Sequence, residues 1–155
     1  MQLIKNKKIL FFLLLTAIFS IVSFTARNIL ISHYNNFDFK LFTIDYIKNY
    51  GAAFSLFHTH TSLLIVLSVI ILCAVLVYIL KNIFNFTKFE LFFSSLLTAG
   101  IICNLFERIS DGFVTDYIRL NFVAFPIFNL SDLFINIGAF ILICNILFSN
   151  ETESE

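Results

Sequence analysis

The chain has 155 residues, of which 59% are hydrophobic and 13% are charged, and its formal net charge is zero. A mean hydropathy of +0.94 lies outside the range of ordinary soluble domains, so we expect lipid to be its solvent. Runs of five or more basic residues are typical of nucleic-acid-binding chains, and this sequence contains none. We therefore predict no binding to nucleic acid.

Four predominantly apolar stretches follow one another along the chain. A bilayer core is crossed by a helix of about 20 apolar residues, and each stretch is close to that length. They predict an integral membrane protein, mostly α, that forms a single four-helix membrane domain over residues 1–155. The expected spans are residues 9–27, 61–80, 90–107 and 128–148, and the longer loops are residues 28–60 and 108–127.

The first apolar stretch is preceded by Lys5, Lys7 and Lys8, a pattern that also occurs in cleaved signal peptides. The uncharged run from Ile9 to Ala26 is, however, longer than the usual core of a signal peptide. The residues that end it also fit a cleavage site of small side chains poorly. We therefore interpret this stretch as a retained first helix.

The positions of lysine and arginine predict the orientation in the membrane. A simple count is tied, because five of these residues lie on each side of the predicted spans. The first helix usually dominates, and its flank carries three closely spaced lysines. We therefore expect both termini in the cytoplasm and the two longer loops on the outer face of the membrane.

The first long loop carries alternating apolar and polar residues. The alternation runs from Phe37 to Leu41 and then changes phase from Phe42 to Tyr46. Alternation with one change of phase predicts β-strands with a bulge. We expect a small β-rich cradle between the first and second helices, which could shelter a site at the ends of the helices.

Two aspartates near the second long loop are candidates for chemistry. Ionisable groups at membrane depth are costly, by roughly 2.5 to 3.5 kcal/mol at the centre of a helix, and they therefore tend to be functional. Asp132 could instead be a first-turn acid that the helix dipole favours. Asp116 could instead be a solvated loop acid.

Three further polar residues accompany these acids. Asn104 and Arg108 are four residues apart and share one face of the third helix, near its outer end. Arg108 could also be an anchor that extends its charge to the membrane surface. Asn49 precedes Gly51, where a turn, a close backbone approach or simple tight packing would fit.

The sequence gives little support for a metal site or for a nucleophilic serine. Cys73, Cys103 and Cys144 lie in apolar stretches without a metal-binding spacing, and they are interpreted as small hydrophobic residues. His58 and His60 lack neighbouring ligands, so we predict no metal and no cofactor. Because signatures of serine and zinc hydrolases are also missing, a pair of carboxylates is the remaining route to hydrolysis.

Four motifs are spread over most of the chain, in order between the four spans. They are NYGAAFS at 49–55, AGIICNLFER at 99–108, VTDYI at 114–118 and FNLSDLFINIG at 128–138. Together they resemble the lipoprotein signal peptidases, the type II signal peptidases of bacteria. This resemblance implies a protein of the bacterial inner membrane with four helices, cytoplasmic termini and a sheet-like cradle at the outer, periplasmic face.

The resemblance also implies an activity and a site. Asp116 and Asp132 would be the catalytic pair of an aspartic endopeptidase, and the substrate site would be lined by Asn49, Asn104, Arg108 and Asn129. The substrates would be prolipoproteins whose cysteine carries a diacylglyceryl group, and cleavage would fall just before that cysteine. We expect membrane lipids and these precursors as partners, and a monomeric protein.

The chain departs from the family pattern at several positions. Glu107 stands where the family usually has aspartate, and Ser131 replaces an alanine. Cys103 and Ala99 replace glycines in the third-helix motif. In the first helix, Ser23 and Arg27 align with an aspartate and a lysine, so that the positive charge is kept and the acid is lost.

Two other functions remain open on the sequence. A non-catalytic membrane subunit could bind lipoprotein precursors in the same groove, as the missing first-helix acid would allow. A proton-coupled transporter should carry acids deep within its spans, whereas the interiors of these four spans are uncharged.

Overall fold

The computed structural model describes residues 2–51 and 61–149. This part of the chain contains four helices and three strands, and each of the four helices is long and apolar enough to cross a membrane. In chain order the elements are α1 (Gln2–Tyr34), β1 (Phe37–Asp38), β2 (Phe42–Asn49), α2 (Thr61–Asn82), α3 (Lys88–Ser110), β3 (Val114–Leu120) and α4 (Leu130–Ser149). The predicted fold class, a mostly helical membrane protein with four spans and a small sheet, is confirmed.

Helix α3 is the centre of the bundle. In its apolar window 67% of the residues are buried, against 11% to 17% in the windows of the other three helices. Helices α1, α2 and α4 therefore surround α3 and present most of their side chains outward. The buried apolar core is formed by Phe12, Ile79, Ile83, Phe86, Leu91, Leu97, Ile101 and Leu142.

The short connection between α2 and α3 is closed by polar contacts. Thr87 caps α3 in a reciprocal arrangement with Glu90, whose carboxylate accepts a hydrogen bond from the backbone N–H of Thr87. Lys8 of α1 donates to the carbonyl oxygens of Phe84 and Phe86 at 2.6 and 2.8 Å. These contacts fix α1 against the end of the bundle that lies opposite the sheet.

Small residues allow α3 and α4 to approach closely. A Cβ at Gly100 would collide with the carbonyl oxygen of Ser131, and a Cβ at Gly138 would lie 2.7 Å from the carbonyl oxygen of Phe93. Close backbone approach at small residues is a principal source of stability between helices in membranes. Here it brings the end of α3 and the beginning of α4 together.

Buried hydroxyl groups along α3 are paired within the helix. Ser94, Ser95 and Thr98 each donate to the carbonyl oxygen four residues earlier, at 2.6 to 2.8 Å. Their small side chains permit close packing, and the internal hydrogen bonds remove the cost of burying an unpaired hydroxyl.

The three strands form an antiparallel sheet in the order β1-β2-β3. Strands β1 and β2 come from the first long loop, as predicted. Strand β3 comes from the second long loop, for which we predicted no strand. The sheet thus joins both loops, and it lies at the end of the bundle where α1 and α3 finish and α4 begins; we call this the sheet end.

The predicted bulge exists, but its predicted position was wrong. The change of phase at Phe42 coincides with the turn between β1 and β2, where Lys40 has a φ of 69°. The bulge lies further along β2, where Asp45 and Tyr46 together face Tyr117 of β3, between the pairs Ile44–Ile118 and Ile47–Asp116.

The Gly138→Ala substitution tests the close packing of α3 and α4. The added methyl group would lie 2.7 Å from the backbone nitrogen of Leu97 and would force the helices apart. We expect a loss of about 1–3 kcal/mol in stability, measured as a lower Tm of the purified protein in detergent. Ile143→Ala changes a side chain of α4 that is 55% exposed, and it should lower the Tm much less. Equal effects of the two substitutions would contradict the close approach.

Candidate active site

Asp116 lies in the middle of β3 and is 3% exposed. Its Oδ2 accepts a hydrogen bond from Nδ2 of Asn49 at 2.8 Å, and its Oδ1 accepts one from Nδ2 of Asn129 at 2.9 Å. The bond to Asn49 is a diagonal contact across the sheet, because Asn49 pairs with Val114, two residues before Asp116. Asp116 is therefore not a solvated loop acid.

Asp132 lies in the first turn of α4 and exchanges two hydrogen bonds with Asn129, three residues earlier. The backbone N–H of Asp132 donates to Oδ1 of Asn129 at 2.9 Å, and the backbone N–H of Asn129 donates to Oδ2 of Asp132 at 3.1 Å. This reciprocal pairing caps the helix, as the interpretation of a first-turn acid predicts. The second oxygen, Oδ1, accepts a hydrogen bond from Nδ2 of Asn104 at 2.7 Å.

Asn129 connects the two aspartates through a single side chain. Its Oδ1 caps α4 at Asp132, and its Nδ2 donates both to Asp116 and, at 3.3 Å, to Oδ1 of Asn104. The side chain is almost fully buried, with 3% of the residue exposed. Strand β3 and helix α4 are therefore held in one relative position by one amide group.

Arg108 lies one turn beyond Asn104 on α3, and its guanidinium is partly buried within the site. Nη2 donates to the carbonyl oxygen of Gly51 at 3.1 Å, and Nη1 donates to the carbonyl oxygen of Asn104 at 3.3 Å. Among the described residues, its buried Nε has no hydrogen-bond partner. Arg108 thus brings a positive charge to the two aspartates and holds the end of β2 near α3.

The environment of Asp116 favours its protonated form. Burial raises the pKa of Asp116 to about 7, and the charge of Asp132 acts in the same direction. Hydrogen bonds from Asn49 and Asn129 and the charge of Arg108 oppose this effect and only partly offset it. A proton therefore stays on this pair of carboxylates up to about pH 7.

Tyr117 supports the site, although it was not among the residues that the sequence predicted. Its buried hydroxyl accepts a hydrogen bond from the backbone N–H of Leu130 at 3.2 Å, which joins β3 to the first turn of α4. The backbone N–H groups of Tyr117 and Ile118 both donate to the carbonyl oxygen of Phe128. A tyrosine directly after Asp116 was the available signal, but sequence alone does not indicate which backbone group its hydroxyl meets.

The structure brings all six predicted site residues together at the sheet end. Asn49 comes from β2, Asn104 and Arg108 from α3, Asp116 from β3, and Asn129 and Asp132 from the start of α4. In residues 2–51 and 61–149, no group of three or more His, Cys, Asp or Glu residues could hold a metal ion. His58, His60 and the second half of the NYGAAFS motif lie outside the described residues.

Comparison with known proteins identifies the family. A model of the signal peptidase II family matches residues 9–148. The chain belongs to this family. The lipoprotein signal peptidase of Wigglesworthia glossinidia brevipalpis is 36% identical over 141 residues, which cover 86% of this chain and 91% of that protein. The lipoprotein signal peptidase of Lactococcus lactis is 34% identical over 114 residues, which cover 74% of this chain and 75% of that protein.

A solved structure supports the fold. It is described as a bacterial membrane enzyme determined by the in meso method at 2.3 Å resolution, and it matches with a TM-score of 0.80 and 25% identity. The match covers 93% of this chain and 92% of that chain. The resemblance drawn from the four motifs is thus confirmed: this family member is a peptidase of a bacterial membrane.

The departure from the family pattern in the first helix has a structural counterpart. Oγ of Ser23 lies 2.7 Å from Oγ of Ser131, and the two buried hydroxyls form a hydrogen bond between α1 and α4. Arg27 finds its acidic partners elsewhere: its Nε lies 3.6 Å from Oε1 of Glu107, and its Nη2 lies 3.8 Å from Oδ2 of Asp111. The cation of the first helix is therefore paired although position 23 is a serine.

The raised pKa of Asp116 predicts how stability depends on pH. The native carboxyl keeps its proton to about pH 7, whereas in an unfolded chain it ionises near 3.8. Between these values the native state binds more protons than the unfolded state, so the contribution of Asp116 to stability falls as pH rises. Asp116→Asn removes this titration. We expect the Tm of Asp116→Asn minus the Tm of the wild type to increase from pH 4.5 to about pH 7 and then to level off.

The measurement is a pair of thermal melts of wild type and Asp116→Asn in the same detergent, at half-unit steps of pH from 4.5 to 8.5. Only the difference between the two proteins is interpreted, because groups that do not interact with Asp116 titrate equally in both. A difference that is independent of pH would show that Asp116 is not held protonated by burial.

Proposed function

We propose that this member of the signal peptidase II family is an intramembrane aspartic endopeptidase that removes signal peptides from diacylglyceryl-modified prolipoproteins, just before the lipid-modified cysteine. The observation that carries the proposal is the pair Asp116 and Asp132, held by hydrogen bonds to the single side chain of Asn129 in a peptidase of this family. Two adjacent carboxylates that share one proton can supply a base and an acid together.

The contacts of the two carboxylates favour different roles. Asp132 lies in the first turn of α4, where the helix dipole stabilises negative charge, and it receives hydrogen bonds from Asn104 and from the backbone of Asn129. We therefore assign the ionised role to Asp132. Asp116, buried and with a pKa of about 7, carries the shared proton.

In this mechanism, Asp132 takes a proton from a water molecule as the water oxygen bonds to the scissile carbonyl carbon. Asp116 gives its proton to the carbonyl oxygen as negative charge develops there. When the intermediate collapses, the C–N bond breaks, the proton held by Asp132 passes to the leaving nitrogen, and Asp116 recovers its own. The products are a signal peptide with a new carboxyl terminus and a lipoprotein with a free amino terminus.

The remaining polar groups would bind the substrate backbone. Asn49 and Asn104 position the carboxylates and lie where an extended peptide could pair with their amides, while Arg108 balances the negative charge. We expect the precursor to approach from the lipid. Exposed apolar side chains around the sheet, Phe37, Leu41 and Phe122, suit contact with membrane lipids.

The proposed orientation places both termini in the cytoplasm of the bacterial inner membrane and the sheet end near the periplasmic face. Lys5, Lys7 and Lys8 lie at the opposite end of α1 from the site, which agrees with the preference for lysine on the cytoplasmic side. We propose that the protein acts as a monomer, with the whole chain forming one membrane domain.

Asp116→Asn and Asp132→Asn should each reduce cleavage of a lipid-modified precursor by at least about 10³-fold, because each variant lacks one of the two proton transfers that the mechanism requires. Each variant should remain folded in detergent. The measurement is the rate of product formation from a purified diacylglyceryl-modified precursor, followed by gel shift. Asp38→Asn, a change at an exposed acid in β1, is the control and should leave the rate within about twofold.

This assay also separates the enzyme from a non-catalytic binding subunit. Binding of the precursor by wild-type protein without turnover would favour the subunit. Full activity in Asp116→Asn or Asp132→Asn would exclude the proposed pair.

The value of kcat/KM should fall on the alkaline side with an apparent pKa of about 7, because the shared proton leaves the free enzyme in that range. The alkaline limb of kcat should lie at higher pH, since bound substrate excludes water from the site and further disfavours the doubly charged pair. Both profiles are measured from pH 5 to pH 9.5 with one precursor. Rates that rise steadily to pH 9.5 in both profiles would contradict the one-proton mechanism.

A further inference from the structure

An ion pair with a buried carboxylate and a partly exposed arginine lies beside the proposed catalytic strand, at the edge of β3 away from Asn49. Glu107, near the end of α3, is 5% exposed, and its Oε1 lies 3.6 Å from Nε of Arg27 on α1. A carboxylate buried this deeply is costly unless a cation and hydrogen-bond donors satisfy it. Both are present, and both converge on the residue before Asp116.

Both members of the pair contact Thr115. Oε2 of Glu107 accepts a hydrogen bond from the backbone N–H of Thr115 at 2.7 Å, and Nη2 of Arg27 donates to Oγ1 of Thr115 at 3.0 Å. Thr115 itself is fully buried. The backbone and the side chain of this one residue are therefore held by charged groups from two different helices.

The contact at Thr115 completes the free edge of β3. The strand pairs with β2 on one side only, so its other edge would leave backbone N–H groups without partners. On that edge, Glu107 takes the N–H of Thr115, and the carbonyl oxygen of Phe128 takes the N–H of Tyr117. The peptide backbone is thus fixed immediately before and immediately after Asp116.

We propose that Glu107, neutralised by Arg27, is a positioning residue for Asp116. It contacts neither substrate nor the reacting atoms; it holds the strand so that the Asp116 carboxylate stays against Asn49 and Asn129. This inference rests on the proposed function, because it concerns the rate of the step that Asp116 carries out. A misplacement of about 1 Å at a reacting group can lower the rate about 10²-fold.

Substitutions at Glu107 can distinguish its role as a hydrogen-bond acceptor for Thr115 from its role as a negative charge. Glu107→Ala removes both, and we expect kcat to fall at least about tenfold with KM within about twofold of wild type. Glu107→Gln keeps an oxygen that can accept from the N–H of Thr115, and kcat should recover to within about threefold of wild type. Asp111→Asn removes the other, exposed acid that contacts Arg27, and it should leave kcat unchanged.

A second set of variants tests the role of Arg27. Arg27→Gln leaves Glu107 buried without its cation, and kcat should fall. The double variant Arg27→Gln with Glu107→Gln removes the uncompensated charge and keeps the acceptor, so its kcat should exceed that of Arg27→Gln by at least about fivefold. A double variant no faster than Arg27→Gln would overturn the pairing.

All variants are assayed with the diacylglyceryl-modified precursor, and kcat is expressed per folded protein, as judged by a monodisperse elution profile and a cooperative thermal melt. Wild-type kcat in folded Glu107→Ala would overturn the inference, as would a change confined to KM or a Glu107→Gln variant as slow as Glu107→Ala. Asp116→Asn is assayed alongside: if it is fully active, the proposed function itself fails, whatever the result at Glu107.

Discussion

The site depends on the side-chain amide of Asn129. This group lies at the start of α4 and hydrogen-bonds in two directions, to the backbone of Asp132 in the same helix and to the carboxylate of Asp116 in the sheet. An amide has both a donor and an acceptor end, so it can cap a helix and bind a carboxylate at once. A carboxylate in its place could not donate to Asp116, and a hydrophobic side chain would leave two polar groups unpaired.

The second constraint is the register of the sheet. Asn49 reaches Asp116 only because it pairs with Val114, which places Asn49 and Asp116 on the same face of adjacent strands. The bulge at Asp45 and Tyr46 sets this register. Successive side chains of a strand alternate between faces, so pairing shifted by one residue would move Asn49 to the face of Thr115, behind the site. The bulge in β2 thus determines one hydrogen-bond partner of Asp116.

The helices could be predicted because apolar runs are local signals, and the six residues that meet at the sheet end could be named because they are concentrated in motifs. Apolar runs define spans, and the three-residue spacing of Asn129 and Asp132 is that of a helix cap. Strand β3 was not predicted, since Val114 to Tyr117 are all buried and the strand lacks alternation. The contacts of Tyr117 with Leu130 and of Glu107 with Thr115 join separate elements, and only the assembled fold brings those atoms together.

The same fold accounts for the serine at position 23. The hydroxyl of Ser23 bonds to that of Ser131, which directly precedes Asp132. An aspartate at position 23 would bring a third negative charge towards the two carboxylates, where burial and, after it, the charge of Asp132 already raise the pKa of Asp116. With serine there, α1 and α4 remain joined by a neutral hydrogen bond. Arg27, the cation of α1, pairs with Glu107, which lies at the edge of β3 away from Asn49. The negative charge of Glu107 is therefore balanced there and is not added to the charge of Asp116 and Asp132. With serine at position 23, Arg27 is paired with Glu107, and the two carboxylates keep their hydrogen bonds to the asparagines.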